Sequence, residues 1–169
     1  TVKGRRCVDV GASTGGFTQV LLAADAAHVA AVDVGRGQLV PDVASDPRVT
    51  EHSGTTIRGL QPETIGGPAD VVVADLSFIS LTLVLADLAR LLGERGDLVV
   101  LVKPQFEVGR GRVNRQGVVT DPRERTAALQ RVVDSTLGCS CTASARARSR
   151  APPATSSTSC GPGRTRRTQ

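Results

Sequence analysis

The stretch "RCVDVGASTGGFTQVLLAADAAHVAAVDVG", residues 6–35, decides the fold of this chain. Its first five residues, 6–10, form an apolar run that predicts a β-strand ending at Gly11. After a glycine-rich turn, apolar residues recur at helical spacing: Phe17, Val20, Leu21 and Ala24. Residues 28–35 again predict a strand. A strand, a helix and a second strand in this order form a βαβ unit, which places both strands parallel in one sheet.

The same alternation continues along the chain. Residues 69–77 ("ADVVVADLS") and 96–104 ("GDLVVLVKP") predict strands, and residues 79–92 predict a helix between them. A longer helix follows, with its predicted N-cap, first residue and terminator at Asp121, Pro122 and Gly138. Because these strands are continuously apolar, we expect an α/β fold whose parallel sheet is covered by helices on both faces.

Length and composition indicate one domain in the cytoplasm. The chain has 169 residues, of which 40% are hydrophobic, enough for one core. It contains no run of eighteen apolar residues, and its start, "TVKGRRCVDV", has neither an initiator Met nor the order of a signal peptide. We therefore expect a cytosolic protein and a fragment. Its four cysteines lack zinc-site spacing, so we expect no metal: Cys7, Cys139, Cys141 and Cys160.

The positive charge is concentrated at one end of the sequence. The net charge of +5 is typical of a protein with an acidic partner such as nucleic acid. Residues 139–169 hold six arginines and no acidic residue, so residues 1–138 carry 15 basic against 16 acidic residues, a net charge of −1. We expect residues 1–138 to form the domain and residues 139–169 to be a disordered tail.

The turn "DVGASTGGF", residues 9–17, is the first candidate site. A glycine-rich turn between strand and helix lets the backbone approach a ligand and offers its amides to a pyrophosphate or a carboxylate. Its glycines do not form G-x-G-x-x-G, and no P-loop occurs, which disfavours dinucleotide and P-loop interpretations. A tight turn that needs glycine only for its geometry is the alternative.

Polar residues follow the predicted strands at the sheet edge where α/β folds bind ligands. These residues are Asp9, Asp33, Asp75 and Lys103. A carboxylate at the position of Asp33 can accept hydrogen bonds from both hydroxyls of a ribose, as in NAD or S-adenosylmethionine, or it can be a helix N-cap. A lysine beside an aspartate suits a general base or a charge stabiliser, so we predict such roles for Lys103 and Asp75; a simple salt bridge is the alternative.

Six motifs together resemble the TlyA family, bacterial ribosomal RNA methyltransferases with an FtsJ-type domain, over nearly all of residues 4–138. They are "GASTGGFTQVLL", "VDVGRGQL", "DPRV", "VVADLSFISL", "LVKPQFEVGRGRV" and "GVVTDP". The resemblance implies a Rossmann-like methyltransferase sheet, S-adenosylmethionine as cofactor, ribosomal RNA or ribosomal subunits as partner, and methyl transfer to the 2′-hydroxyl of a cytidine ribose.

The resemblance also implies roles for individual residues. FtsJ-type enzymes share a Lys-Asp-Lys-Glu tetrad, in which Asp75 matches the Asp and Lys103 the second Lys. Thr56 stands where the family usually has an Asn near the adenine. The implied cofactor-binding residues are Asp9, Gly11, Ser13, Gly15, Gly16, Phe17, Asp33, Thr56 and Asp75.

Two tetrad members have no counterpart in this sequence. The resemblance implies that the first Lys and a small RNA-binding domain lie upstream of the first strand, and that the Glu lies in a strand written approximately "GNVEYFLW". One allowed choice of codons for residues 153–161, "PATSSTSCG", spells GNVEYFLW when read from its third base. We therefore expect a frame shift near residues 138–145, an out-of-frame tail, missing last strands, and little or no activity.

Two other functions belong to different classes. Relatives of the TlyA family have carried the name hemolysin, so a membrane-active protein is one alternative, although we expect no membrane partner. A non-catalytic RNA-binding module is the other, with a basic cluster at Arg110, Arg112 and Arg115; such a cluster is more often a solvated loop than an RNA contact. The sequence carries no signal for oligomeric state.

Overall fold

The structure, a computed structural model, describes residues 1–109, 113–114 and 116–137. Its strands are β1 (Arg6–Val10), β2 (His28–Asp33), β3 (Val49–Ser53), β4 (Ala69–Ala74) and β5 (Leu92–Val100). Its helices are α1 (Gly16–Ala23), α2 (Pro41–Ala44), α3 (Leu85–Arg90), α4 (Pro104–Glu107) and α5 (Pro122–Leu137), with 3₁₀ turns at Pro62–Ile65 and Leu81–Leu83. The strands form one sheet in the order β3-β2-β1-β4-β5, and every pair is parallel. The expected Rossmann-like α/β fold is confirmed.

The sheet has an apolar core on each face. On one face, residues of β1, β2 and β4 pack against α3, α5 and the 3₁₀ turns, with members that include Val8, Val32, Val72, Leu88, Leu91 and Val132. On the other face, Cys7, Val29, Val71 and Val73 pack against Leu21 of α1. Alternate residues of each strand therefore enter different cores, which explains why the central strands are continuously apolar.

The predicted helix over residues 79–92 was wrong at both ends. It divides into the 3₁₀ turn Leu81–Leu83 and the short helix α3, and Leu92 already belongs to β5. The 3₁₀ turn begins at Ser80, whose hydroxyl accepts a hydrogen bond from the Thr82 amide at 3.3 Å. Val84 follows with φ −130°, a value that the interior of an α-helix does not contain.

The predicted strand over residues 96–104 was misplaced: β5 begins at Leu92 and ends at Val100. Ala69 of β4 pairs with Leu92, whereas Val71 pairs with Asp97, so the residues between the two pairs bulge out of the ladder. An ion pair between Arg5 and Asp97, 2.6 Å long, anchors the strand after the bulge.

Strand β5 also differs from the expectation that helices cover both faces. Leu98, Val100 and Val102 pack toward the core, but Val99 and Leu101 are 54% and 46% exposed. Within the part of the chain that the structure describes, no element covers this side of β5. The covered sheet is therefore confirmed for β1, β2 and β4 and not for β5.

The start of α5 is as predicted. Asp121 accepts a hydrogen bond from the Arg123 amide at 2.8 Å, and Pro122 is the first helical residue. The predicted terminator Gly138, the tail 139–169 and the basic cluster at Arg110, Arg112 and Arg115 lie outside the described residues.

Candidate active site

A cleft of about 350 Å³ opens at the carboxyl ends of β1, β2 and β4. Four of the predicted site residues line it: Gly11, Ser13, Asp33 and Asp75. The remaining walls are formed by Val10, Val32, Val34, Gln38, Thr55, Ile57, Leu76, Ser77 and Phe78. A mostly apolar cleft with a few converging polar groups at this sheet edge is the usual form of a small-molecule site in an α/β fold.

Gly11 makes the turn after β1 possible. Its φ is +82°, and a Cβ atom added there would lie 2.6 Å from the carbonyl oxygen of Asp75. The Gly11 amide donates to the carbonyl of Val32 at 2.8 Å, and the Asp75 amide donates to Val10 at 3.1 Å. The ends of three strands are thus joined at one glycine, where a side chain would push them apart.

Asp33 organises the loops at the end of β2. One carboxylate oxygen accepts a hydrogen bond from the Ser13 amide at 2.8 Å, and the other accepts from the Gly35 amide at 2.7 Å. The next helix, α2, begins after Val40 without a side-chain cap, so Asp33 is not its N-cap. A carboxylate has about four acceptor positions, which leaves two of them for a ligand in the cleft.

Asp9 is fully buried and does not line the cleft. One oxygen accepts a 2.7 Å hydrogen bond from the Thr18 hydroxyl, which ties α1 to β1. The other oxygen has no hydrogen-bond partner among the described residues. Burial raises the pKa of Asp9, against the lowering effect of the Thr18 bonds, and the nearby Asp75 and Asp33 raise it further.

Lys103 and Asp75 form an ion pair beside the cleft. The Lys103 Nζ lies 2.6 Å from Asp75 Oδ1, with the two side chains 24% and 32% exposed. The aligned hydrogen bond of Nζ goes instead to the hydroxyl of Ser77 at 2.8 Å. The structure brings the two residues together; that they are catalytic stays a prediction.

Phe78 is a site residue that the sequence analysis missed. It has φ +65°, a left-handed conformation that is costly for a bulky side chain, and the residue is 92% exposed. The ring lines the cleft and contacts Phe106, with the centroids 5.3 Å apart. An available signal was composition: the sequence has three Phe and no Tyr or Trp.

The other predicted cofactor residues lie around the cleft rather than on its walls. Gly15, with φ +97°, precedes α1, and a Cβ atom added there would lie 3.1 Å from Val43 and 3.2 Å from Leu39; Gly16 begins the helix. Phe17 packs into the core beneath α1. Thr56 lies between two lining residues and accepts a hydrogen bond from the Arg58 amide at 3.3 Å. Their contacts with a cofactor stay predictions.

The described residues contain neither a membrane-crossing helix nor a cluster of metal ligands. No helix among residues 1–109, 113–114 and 116–137 is both long enough and apolar enough to cross a membrane. In the same part of the chain, no group of three or more His, Cys, Asp or Glu side chains is arranged to hold a metal ion.

Comparison with known proteins identifies similar sequences. The FtsJ-like methyltransferase family matches residues 1–159. The 16S/23S rRNA (cytidine-2′-O)-methyltransferase TlyA of Mycobacterium tuberculosis is 57% identical over 131 residues, which cover 78% of this chain and 49% of that protein. The chain thus spans about half the length of the curated relatives it matches.

Solved structures share the fold. A Lactococcus lactis protein that carries the name hemolysin superimposes with a TM-score of 0.78 at 36% identity, over 81% of this chain and 66% of that one. An S-adenosylmethionine dependent methyltransferase from Mesorhizobium loti superimposes with a TM-score of 0.52 at 17% identity, over 69% of this chain and 56% of that one. The second likeness concerns the fold alone.

Proposed function

Because the chain belongs to the FtsJ-like methyltransferase family, we propose that it binds S-adenosylmethionine and transfers a methyl group to the 2′-hydroxyl of a cytidine ribose in ribosomal RNA. The observation that carries this proposal is the Lys103–Asp75 ion pair, which adjoins a cleft whose other wall presents Asp33. The name of the Mycobacterium tuberculosis relative supports the substrate. A ribosomal substrate places the reaction in the cytoplasm.

The cleft residues fit the proposed cofactor. The turn at Gly11 has no side chain to block close approach of a ligand, and Asp33 has acceptor positions left for a pair of ribose hydroxyls. When bound, the cofactor would supply an electrophilic methyl group on a sulfonium. The chain's contribution is to orient this group toward the acceptor hydroxyl, and positioning of this kind supplies most of the rate.

Lys103 and Asp75 handle the proton in the proposed reaction. Lys103, which is ion-paired with Asp75, first releases its ammonium proton to solvent; the neutral amine then accepts the proton of the 2′-hydroxyl, and Asp75 stabilises the ammonium that forms again. Ser77, which accepts a hydrogen bond from Nζ, directs the amine. A lone salt bridge would explain the pair equally, but it would not explain why the pair lies at the edge of a cleft at the strand ends.

Phe78 supports a nucleic acid as the second substrate. The residue is almost fully exposed and follows Ser77, which contacts Lys103. Exposed aromatic rings stack on unpaired bases in RNA-binding sites. Arg110, Arg112 and Arg115 would add contacts to phosphates, a proposal that concerns residues outside the described part of the chain.

The domain organisation is proposed in the same way. We assign residues 1–138 to the methyltransferase domain and residues 139–169 to an out-of-frame tail, because a second reading of residues 153–161 spells the family's Glu-bearing strand. Such a chain would have low activity. The hemolysin alternative rests on a name that similar proteins carry, and no other observation favours it.

Calorimetric titration with S-adenosylmethionine tests the proposal. We expect measurable binding by the chain and a loss of about tenfold or more in Asp33→Ala, because hydrogen bonds to a charged group are removed. Asp25→Ala is the matched control, since Asp25 pairs with Lys3 on the exposed surface. Equal affinity of the wild type and Asp33→Ala would remove Asp33 from the site.

A further inference from the structure

Two segments that follow β4 and β5 are joined side by side. The first, residues 75–83, contains Asp75 and Phe78, and the second, residues 103–107, contains Lys103 and α4. Three side chains of the second segment reach the first: Lys103 contacts Asp75 and Ser77, Phe106 contacts Phe78, and Glu107 contacts Ser80 and Leu81. The candidate catalytic pair lies at one end of this junction, and Glu107 lies at the other.

Glu107 is bound at three points. One carboxylate oxygen accepts a hydrogen bond from the Ser80 hydroxyl at 2.5 Å, and the other accepts from the Leu81 amide at 2.9 Å. Its backbone carbonyl accepts from Arg131 of α5 at 3.0 Å. Hydrogen bonds to an ionised carboxylate in a half-buried position are stronger than neutral ones. Glu107 therefore fixes α4 to the 3₁₀ turn.

Lys103 needs this support because the sheet does not hold it. The last ladder bond between β4 and β5 runs from the Leu101 amide to Ala74, two residues before Lys103. Asp75, by contrast, is held by its amide bond to Val10 of β1. The distance between Nζ and Asp75 thus depends on how the segment beyond β5 is held, and Glu107 is four residues from Lys103 at the other end of α4.

We propose that Glu107 is a positioning residue: its carboxylate, bound to Ser80 and Leu81, keeps Lys103 against Asp75. This inference rests on the proposed function, since holding Lys103 matters for methyl transfer only if Lys103 takes the proton. Glu107 does not line the cleft, so it acts through α4 and Lys103 rather than on a substrate.

The lysine content of the chain allows a direct test. Lys3 and Lys103 are the only lysines in the sequence, so an amine-reactive ester followed by mass spectrometry reports Lys103 with Lys3 as an internal standard. In Glu107→Ala we expect labelling of Lys103 relative to Lys3 to rise about tenfold, the effect of losing charge-assisted hydrogen bonds. Glu107→Gln keeps one acceptor oxygen, so its ratio should lie between the two.

Two controls separate positioning from general destabilisation. Val29→Ala opens a cavity in the core on the other face of the sheet, and Glu63→Ala removes an exposed carboxylate from another 3₁₀ turn; both should leave the labelling ratio at the wild-type value. Ser80→Ala removes only one of the carboxylate bonds. Ser80→Ala should raise the labelling of Lys103 relative to Lys3 about threefold. It can therefore test the positioning role even if Glu107→Ala does not fold.

Binding of S-adenosylmethionine, measured on the same variants, separates the two proposals. We expect Glu107→Ala to bind the cofactor as the wild type does, because Glu107 is outside the cleft. An unchanged labelling ratio in folded Glu107→Ala and Ser80→Ala would overturn the positioning role and leave the proposed function intact. The labelling ratio could also rise in Glu107→Ala although neither the wild type nor the variants bind S-adenosylmethionine. That result would support the positioning role of Glu107 and contradict the proposed function.

Discussion

Asp9 and Asp33 lie on neighbouring strands, but their carboxylates differ in burial and in hydrogen bonding. Asp33 is half-buried, and each of its oxygens accepts a backbone amide, so its charge is stabilised and turned to the cleft. Asp9 is fully buried, has one unpartnered oxygen among the described residues, and has a raised pKa. The first carboxylate is suited to a ligand, and the second to holding α1 through Thr18.

The raised pKa of Asp9 predicts a pH-dependent cost to stability. Because the folded-state pKa lies above the unfolded value of about 3.9, the native state binds more protons than the unfolded state in the window just above pH 4. The free energy of unfolding therefore falls as the pH rises through that window. Asp9→Asn has no proton to lose and can still accept from Thr18, so at pH 7 it should be more stable by roughly 1–2 kcal/mol.

Urea unfolding of the wild type and Asp9→Asn from pH 4 to pH 8 measures this difference. Burial lowers the pKa values of His28 and His52, and both histidines titrate in both proteins, so their contribution cancels. A stability difference that does not change with pH would show that the pKa of Asp9 is the same in the folded and unfolded states, contrary to this prediction.

Gly11→Ala should destabilise the protein by about 2–4 kcal/mol and weaken cofactor binding, because both the positive φ and the Asp75 carbonyl oppose a side chain. Gly16→Ala is the matched control: its Cβ would meet no atom within 4 Å, and the position is helical. There we expect a change of at most about 1 kcal/mol, in the stabilising direction. Thermal unfolding of both variants checks the contrast, which equal melting temperatures would refute.

The sequence predicted that polar residues lie at the ends of the strands, but it did not predict how deeply each of them is buried. Asp33 and Asp75 could be predicted to lie together because parallel strands end at one edge. The burial of Asp9 could not, since it depends on Thr18 of α1 folding over the end of β1. The left-handed backbone of Phe78 was also beyond prediction, because non-glycine residues avoid that conformation and no local motif in the sequence marks it.

At the level of elements, local patterns predicted β1, α1, β2, β4 and the start of α5. Each of these has its signal within a few residues, such as the Asp121 cap. The segment 79–92 has helical spacing too, yet its first turn is bound by Glu107, which is 26 residues away from Leu81. Strand β3 was not predicted, because its sequence, "VTEHS", has no apolar run.

Strand β5 gives a prediction at the same scale. The Leu101 amide bonds to β4, and alternate amides of a strand point to the same side, so those of Leu98 and Val100 point away from β4. No described strand pairs with that side. By hydrogen exchange, we expect the Leu98 and Val100 amides to exchange at least about tenfold faster than those of β1. Protection equal to that of β1 would mean that another strand pairs there.

At the scale of the molecule, the described residues form a five-stranded parallel sheet with a cleft at its carboxyl edge. The α/β fold class could be predicted from the βαβ unit alone. The order of the strands could not, because it depends on which helix crosses which face, and several orders obey the same local rules.

The nucleotide sequence of codons 136–146 tests the proposed organisation at this scale. We expect one base inserted or deleted relative to a reading that continues into GNVEYFLW. If the frame were restored, the translated strand would give β5 a partner and the site a carboxylate, and methyl transfer to ribosomal RNA should rise from background. An uninterrupted frame whose codons do not spell that strand would refute the proposal.

The Asp75 carbonyl leaves no room for a Cβ atom at Gly11, and this has a consequence for redesign of the protein. The turn proposed to hold the cofactor and the residue proposed to serve the acceptor share one backbone junction, with no side chain between them. A loop graft that widens the turn for a bulkier cofactor analogue would displace Asp75 by the same movement. Substitutions that change the preferred cofactor are therefore expected to alter the position of Asp75 as well. Directed evolution of this protein has to select for cofactor binding and for methyl transfer to the acceptor at the same time.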